Sequence, residues 1–195
     1  MKKYLLSAAL FFSIALPSHA QTMADDAKVW AEEWKYAFSA DGRQAWKPEF
    51  TARVYAGLFF TGGGPAVTGG IRIDNKRTLG LMLWTERIWI DSVPAHVNII
   101  SAGLYKRRYF LSGKKDVVSL YSDLAVGAGY VYEDTRGYNP ETGETVKTAG
   151  HGKGDILFSA TWQPGIRFRF WRNLHLFLGP YLSTNAVGLH LGVGL

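Results

Sequence analysis

Asp91-Ser92-Val93-Pro94-Ala95-His96 is the one stretch of this chain whose residue types and spacing could make and break a covalent bond. A serine hydroxyl, a histidine to take its proton and a carboxylate to orient the imidazole are the equipment of acyl transfer. In that reading Ser92 is the nucleophile, His96 the base and Asp91 the acid. The same residues form a tight turn without any catalysis, because Asp, Ser and Pro are turn formers.

No other cluster is as specific. His151 lies in Gly150-His151-Gly152-Lys153-Gly154, which lacks the spacing of a phosphate loop and reads as a loop end. Glu133, Asp134, Glu141 and Glu144 follow no EF-hand-like order and read as a solvated loop. His175 and His190 fall inside strands, where a histidine satisfied in a polar interior is expected. No cofactor fingerprint and no metal-ligand spacing is present, and with no cysteine there is neither a disulfide framework nor a lipoprotein anchor.

Met1–Ala20 has the form of a cleaved secretory leader. Lys2 and Lys3 precede the apolar run Tyr4–Leu16, and Ser18-His19-Ala20 is a small-x-small cleavage site. Without the leader the net charge of +6 falls to +4. That excess is spread out, with Lys106-Arg107-Arg108 as the only dense run, which reads as a solvated strand end. An exported protein of this kind has no use for nucleic acid. Seven Trp, ten Tyr, eleven Phe and 22 Gly favour strands and tight turns.

Residues 21–48 are expected to hold an amphipathic helix and a linker. From Asp25 to Ala40 the residues Ala27, Trp30, Ala31, Trp34 and Phe38 share one face, and Asp41-Gly42 supplies a stop. Packing on a core and lying in a membrane interface both fit that face.

From Phe50 the period changes to two. Eight strands are expected over 49–195: one from Phe50, then Ala66–Asp74, Thr78–Ile90, Ala95–Tyr109, Val117–Tyr132, Asp155–Trp171, Leu174–Leu182 and Gly188–Leu195. In Asp155–Trp171, Ile156, Phe158, Ala160, Trp162, Ile166 and Phe168 oppose Ser159, Thr161, Gln163, Gly165 and Arg167. Trp89-Ile90 and Ile99-Ile100 break the alternation, which predicts a bulge or a flared rim. Asn173–Leu195 carries no Asp, Glu, Lys or Arg, but its glycines and Pro180 make it a hairpin rather than a spanning helix.

Soluble strands run to about 5–6 residues, whereas strands crossing a bilayer need roughly 9–11. Lipid cannot satisfy backbone polar groups, so such a sheet must close. The fold expected is therefore all-β, an eight-stranded antiparallel transmembrane β-barrel behind one amphipathic helix. Its interior is too narrow for a pore. Arg53, Tyr55, Arg72, Tyr121, Arg167 and Arg169 should point inward, with Gly188, Gly192 and Gly194 making room and Glu86 and Asp123 as ion partners. Leu189, Leu191, Val193 and Leu195 should face lipid. With the helix in the periplasm, the short turns are periplasmic and the longest connection, 134–154, is extracellular.

On these strands and on the C-terminal Gly188-Leu189-His190-Leu191-Gly192-Val193-Gly194-Leu195, the chain from Phe50 to Leu195 resembles the small eight-stranded outer-membrane barrels of the OmpA/OmpX type. That class usually ends on an aromatic residue read by the assembly machinery, and here the end is Leu195. The resemblance implies an outer-membrane location, contact with outer-membrane lipid and lipopolysaccharide, assembly through the last strand, and a monomer. It implies a structural or surface-binding role through 134–154. The layout, with Asp91-Ser92 at an extracellular rim, is also similar to the lipid A palmitoyltransferase. That family has a histidine near the end of its first strand, where this chain reads Leu58-Phe59-Phe60-Thr61-Gly62. The alternative is therefore a lipid A acyltransferase or deacylase using Asp91, Ser92 and His96.

Overall fold

The computed structural model describes residues 23–195 except 45, 58–60, 75, 90–95, 113–116, 135–136, 139–144 and 147–151. Two compact units are present, one to Gln44 and one from Ala45. The leader segment Met1–Ala20 lies outside the described residues.

In the first unit, helix α1 spans Met23–Phe38 and the short α2 spans Ala40–Gln44. The break falls at Ser39, ahead of the expected Asp41-Gly42 stop. The Ser39 hydroxyl donates to Tyr36 O and accepts from the Gly42 amide, ending one helix and capping the next. Trp34 and Phe38, four residues apart, stack with centroids 5.9 Å apart. Among the described residues, no helix is long and apolar enough to cross a membrane.

The second unit is a sheet closed on itself. Its long strands are β1 (Lys47–Gly57), β2 (Pro65–Arg72), β3 (Arg77–Trp89), β4 (His96–Ser112), β5 (Val118–Asp134), β6 (Ile156–Trp171), β7 (Leu174–Ser183) and β8 (Val187–Gly194). Each pairs antiparallel with the next, and β1 pairs with β8, so the ladder has no long free edge. Thr61–Gly62 adds a short pairing to β3, and Gly137–Tyr138 pairs with Thr145–Val146. By the strand order, β2 meets β3, β4 meets β5 and β6 meets β7 at one end of the barrel across short connections. The pairs β1–β2, β3–β4, β5–β6 and β7–β8 are joined at the other end, with the β5–β6 connection the longest.

The register fixes the tilt. Followed once round the wall, it runs Lys47, Arg72, Thr78, Arg107, Asp123 and Gln163, crosses to Tyr181 by the register that Leu178–Ile166 and Leu182–Trp162 share on either side, and continues through Gly188 to Gly57, ten residues along its starting strand. A stagger of that size on eight strands tilts them by about 40°.

Alternation sorts the faces as expected. In β6, Ile156 is 77% and Phe158 68% exposed, while Ser159 and Gln163 are fully buried. The break at Ile99-Ile100 is a bulge. Asn98 pairs with Glu133 but Ile99 with Val131, so Tyr132 is the extra residue, and Ile99 stays inside while Ile100 faces out. At the opposite end Arg172 takes a φ of 24° in the two-residue turn between β6 and β7. In the 73–76 turn Asp74 is pushed up by partial burial. The Lys76 amide and the Arg77 side chain outweigh that push and hold its carboxyl below the ordinary range.

Glycines sit where interior side chains need the space. A Cβ on Gly192 would come within 2.5 Å of the Arg53 stem and 2.7 Å of Ala52 O, and one on Gly194 within 2.8 Å of the Phe177 ring. Gly192→Ala is therefore expected to cost about 1–3 kcal/mol by overpacking, read by urea unfolding in lipid vesicles. Gly152→Ala, with nothing within 4 Å of its Cβ, is the control and should be neutral.

Candidate functional site

The barrel interior holds a charged and aromatic core. Arg107 of β4 donates through Nε to Asp123 Oδ1 (2.8 Å) and through Nη2 to Oδ2 (2.9 Å), a two-pronged pair. Its third nitrogen reaches Glu49 of β1. Asp123 also takes Arg53, whose other nitrogen donates to Gln163. All four charged groups are therefore tied into one network, two guanidiniums against two carboxylates.

Rings enclose that network. The Arg107 guanidinium lies 4.4 Å from the Phe177 centroid and 5.4 Å from that of Tyr121, and Arg167 lies 4.3 Å from Tyr109. Tyr109 and Thr78 donate to the two oxygens of Glu49. Toward the long-connection end Gln163 donates to Tyr55, and Tyr55 stacks on Tyr181 with centroids 4.4 Å apart. Tyr181 and Asn185 donate to Glu86, 2.7 and 3.0 Å away. Beyond them Val97, Ile99 and Val131 form an apolar cluster with Ile88 and Leu157.

Two expectations change here. Arg107 is fully buried at the centre of the network, not at a solvated strand end. Asp123 is an ion partner as expected, but Glu86 accepts from a tyrosine and an amide instead of from the interior arginines. The expected inward set of Arg53, Tyr55, Tyr121 and Arg167 is buried, while Arg72 and Arg169 are half-buried near the short-turn end.

His190 is satisfied as expected, and it also serves the wall. The β6–β7 ladder stops after Leu178–Ile166 and resumes at Leu182–Trp162. In the gap Pro164 and Pro180 face each other, and neither has an N–H to give. His190 Nδ1 donates to Pro180 O at 3.1 Å, which leaves Nε2 to accept the Tyr121 hydroxyl. A carbonyl in mid-membrane is thus supplied by a side chain.

Of the catalytic candidates, His96 opens β4, half-buried and in register with Trp89. Asp91 and Ser92 lie outside the described residues, as do His151, Glu141 and Glu144. Glu133 accepts the Asn98 amide. His175 is half-buried in β7, in register with Gly194 and Arg169. Among the described residues no group of three or more His, Asp or Glu is placed to hold a metal.

The outer wall completes the picture. On β3 the residues in outward phase between Arg77 and Arg87 are Leu79, Leu81, Leu83 and Thr85; Leu81 and Leu83 are exposed, Leu79 is buried, and the Thr85 hydroxyl donates to Pro65 O. Ten residues at about 3.4 Å each, tilted by about 40°, span roughly 25 Å, the height of a lipid-facing band. Tyr130, Tyr132 and Phe158 lie exposed near one edge of that band and Phe110, Phe168 and Phe170 near the other, as interfacial aromatics do. Trp162 donates to Ser122 at 2.8 Å, so a hydroxyl on the lipid face has a partner. This is the geometry of an outer-membrane barrel.

No family model matches the chain, and no curated protein matches it. Among solved structures it is similar to the N-terminal β-barrel domain of Pseudomonas aeruginosa OprF, with a TM-score of 0.46 and 16% identity over 75% of this chain and 94% of that one. Neisserial surface protein A gives a TM-score of 0.39 at 13% identity, covering 75% and 91%. Ail of Yersinia pestis, solved with the heparin analogue sucrose octasulfate, gives 0.39 at 13%, covering 75% and 92%. At that distance the barrel stands on its own closed register and burial pattern.

Proposed function

We propose that this protein is a monomeric outer-membrane barrel that acts at the cell surface, as a structural element and a binding platform presenting residues 134–154, and not as a pore. The observation that carries this reading is the interior. Buried arginines, carboxylates and stacked tyrosines fill the barrel, so the chemistry that is buried there holds the wall together. The longest connection is then the part best placed to meet a partner, and its hairpin pairing gives it a structural stem.

Two cysteine substitutions test the orientation, Lys153→Cys in that connection and Lys76→Cys in a short turn, both at exposed positions. An impermeant thiol reagent added to intact cells should label the first and spare the second. A strain lacking the gene should then be complemented by the wild type and not by a chain with 135–155 shortened to a tight turn, its lipid A mass spectrum unchanged throughout. Label at position 76 from outside, or full complementation by the shortened chain, would contradict the reading. A lipid A acyl chain that depends on Ser92 would replace it with the acyl-transfer alternative.

A further inference from the structure

The lipid-facing wall is indented between β2, β3 and β4. Pro65 and Val67 of β2, Leu83 and Thr85 of β3 and Ile100 of β4 line an apolar groove of about 190 Å³. It offers no competing polar group, because Thr85 already donates to Pro65 O at 3.1 Å. Two residues beyond Thr85 on the same face stands Arg87, at the edge of the lipid-facing band. Its Nε donates to Asn98 Oδ1 at 2.8 Å, and Asn98 in turn donates to Glu133. The guanidinium is therefore held in a fixed plane at the depth where lipid headgroups begin.

We propose that the groove and Arg87 together form a binding site for one phosphorylated glycolipid of the outer leaflet. One acyl chain lies in the groove and a phosphate of the sugar headgroup meets the Arg87 guanidinium. The site rests on the orientation proposed above, which puts Arg87 on the outer side. Two separate features select the ligand. A slot lined only by hydrocarbon and a quenched hydroxyl accepts an alkyl chain. A cation fixed at its polar end is complementary to a phosphate, which the planar guanidinium can meet with parallel N–H bonds. A neutral lipid satisfies the first feature and not the second.

The test is native mass spectrometry of the purified full barrel in mild detergent, loaded with hexa-acylated lipid A, its dephosphorylated form, or phosphatidylglycerol. One lipid A should remain per barrel and its dephosphorylated form should be retained less; phosphatidylglycerol retained as well as lipid A would overturn the choice of a glycolipid. Arg87→Gln should lower lipid A retention by about tenfold, the equivalent of losing one charge-assisted contact, and leave dephosphorylated lipid A unaffected. Val67→Trp should fill the groove and lower retention of every lipid. Unboiled gel mobility confirms that each variant is folded, and Leu178→Trp, exposed on β7 across the barrel from β3, controls for added bulk. Equal retention of the three lipids, or wild-type retention by both Arg87→Gln and Val67→Trp, would overturn the site. Such a result with labelling as expected at Lys153 and Lys76 leaves the orientation intact, so the two claims fail separately.

Discussion

Asp123→Asn is expected to cost the barrel about 3–5 kcal/mol, the range for breaking a buried ion pair from one side. Among the described residues, Asp123 is the only carboxylate that contacts both Arg53 and Arg107. Without its charge, two guanidiniums remain in the low-dielectric centre of the barrel against Glu49 alone. Neither can escape by losing a proton, because arginine stays charged in proteins. Urea unfolding in phospholipid vesicles, followed by tryptophan fluorescence and unboiled gel mobility, measures the loss. Arg107→Met in the Asp123→Asn background should cost less than the two single losses combined, since the pair acts as a unit. Asp74→Asn provides the contrast. Its ion pair with Arg77 is exposed in a turn, and its removal should stay within about 1 kcal/mol.

His190→Ala is the second large effect expected, about 2–4 kcal/mol by the same assay. It leaves the buried Tyr121 hydroxyl without its partner, at about 1–3 kcal/mol, and the part-buried Pro180 carbonyl without its own, at about 1 kcal/mol. Both sit beside the stretch where Pro164 and Pro180 interrupt the β6–β7 ladder. The loss should therefore appear as easier opening of that seam. A disulfide placed across it, by Trp162→Cys with Leu182→Cys at paired positions, should recover most of the stability. A His190→Ala barrel as stable as the wild type would show that the seam needs no side-chain support.

The sequence made the strands and their faces legible because alternation with a period of two is a local property. Arg53, Tyr55 and Tyr121 could be turned inward by counting along their own strands. The same count, extended, also reaches residues that were missed. Glu49 is two residues before Thr51, and Arg107 lies in phase with Tyr105 and Tyr109. Reading Lys106-Arg107-Arg108 as one basic run hid the fact that its middle member points the other way. Partners across the lumen were harder to read. Arg53 and Asp123 are on β1 and β5, which are not neighbours, and the stagger that carries Lys47 round to Gly57 sets which residues share a height. That is why Asp123 met the arginines while Glu86, higher in the barrel, met Tyr181 and Asn185. The seam was legible only as two isolated prolines. The helix break moved to Ser39 because a capping hydroxyl there serves both helices. Of the catalytic candidates, only His96 lies within the described strands.

The barrel is a closed wall with lipid outside and a packed polar core inside. Nuclear magnetic resonance of the full chain in lipid nanodiscs, with methyl labelling, tests both halves at once. Cross-strand contacts should join Ala52 to Val193 and Val54 to Leu191, closing β1 on β8. The methyls of Leu81, Leu178 and Leu191 should show contacts to lipid acyl chains, while those of Met82, Thr51 and Ala125 should show none. Acyl-chain contacts to the second set, or no contacts between β1 and β8, would contradict the barrel.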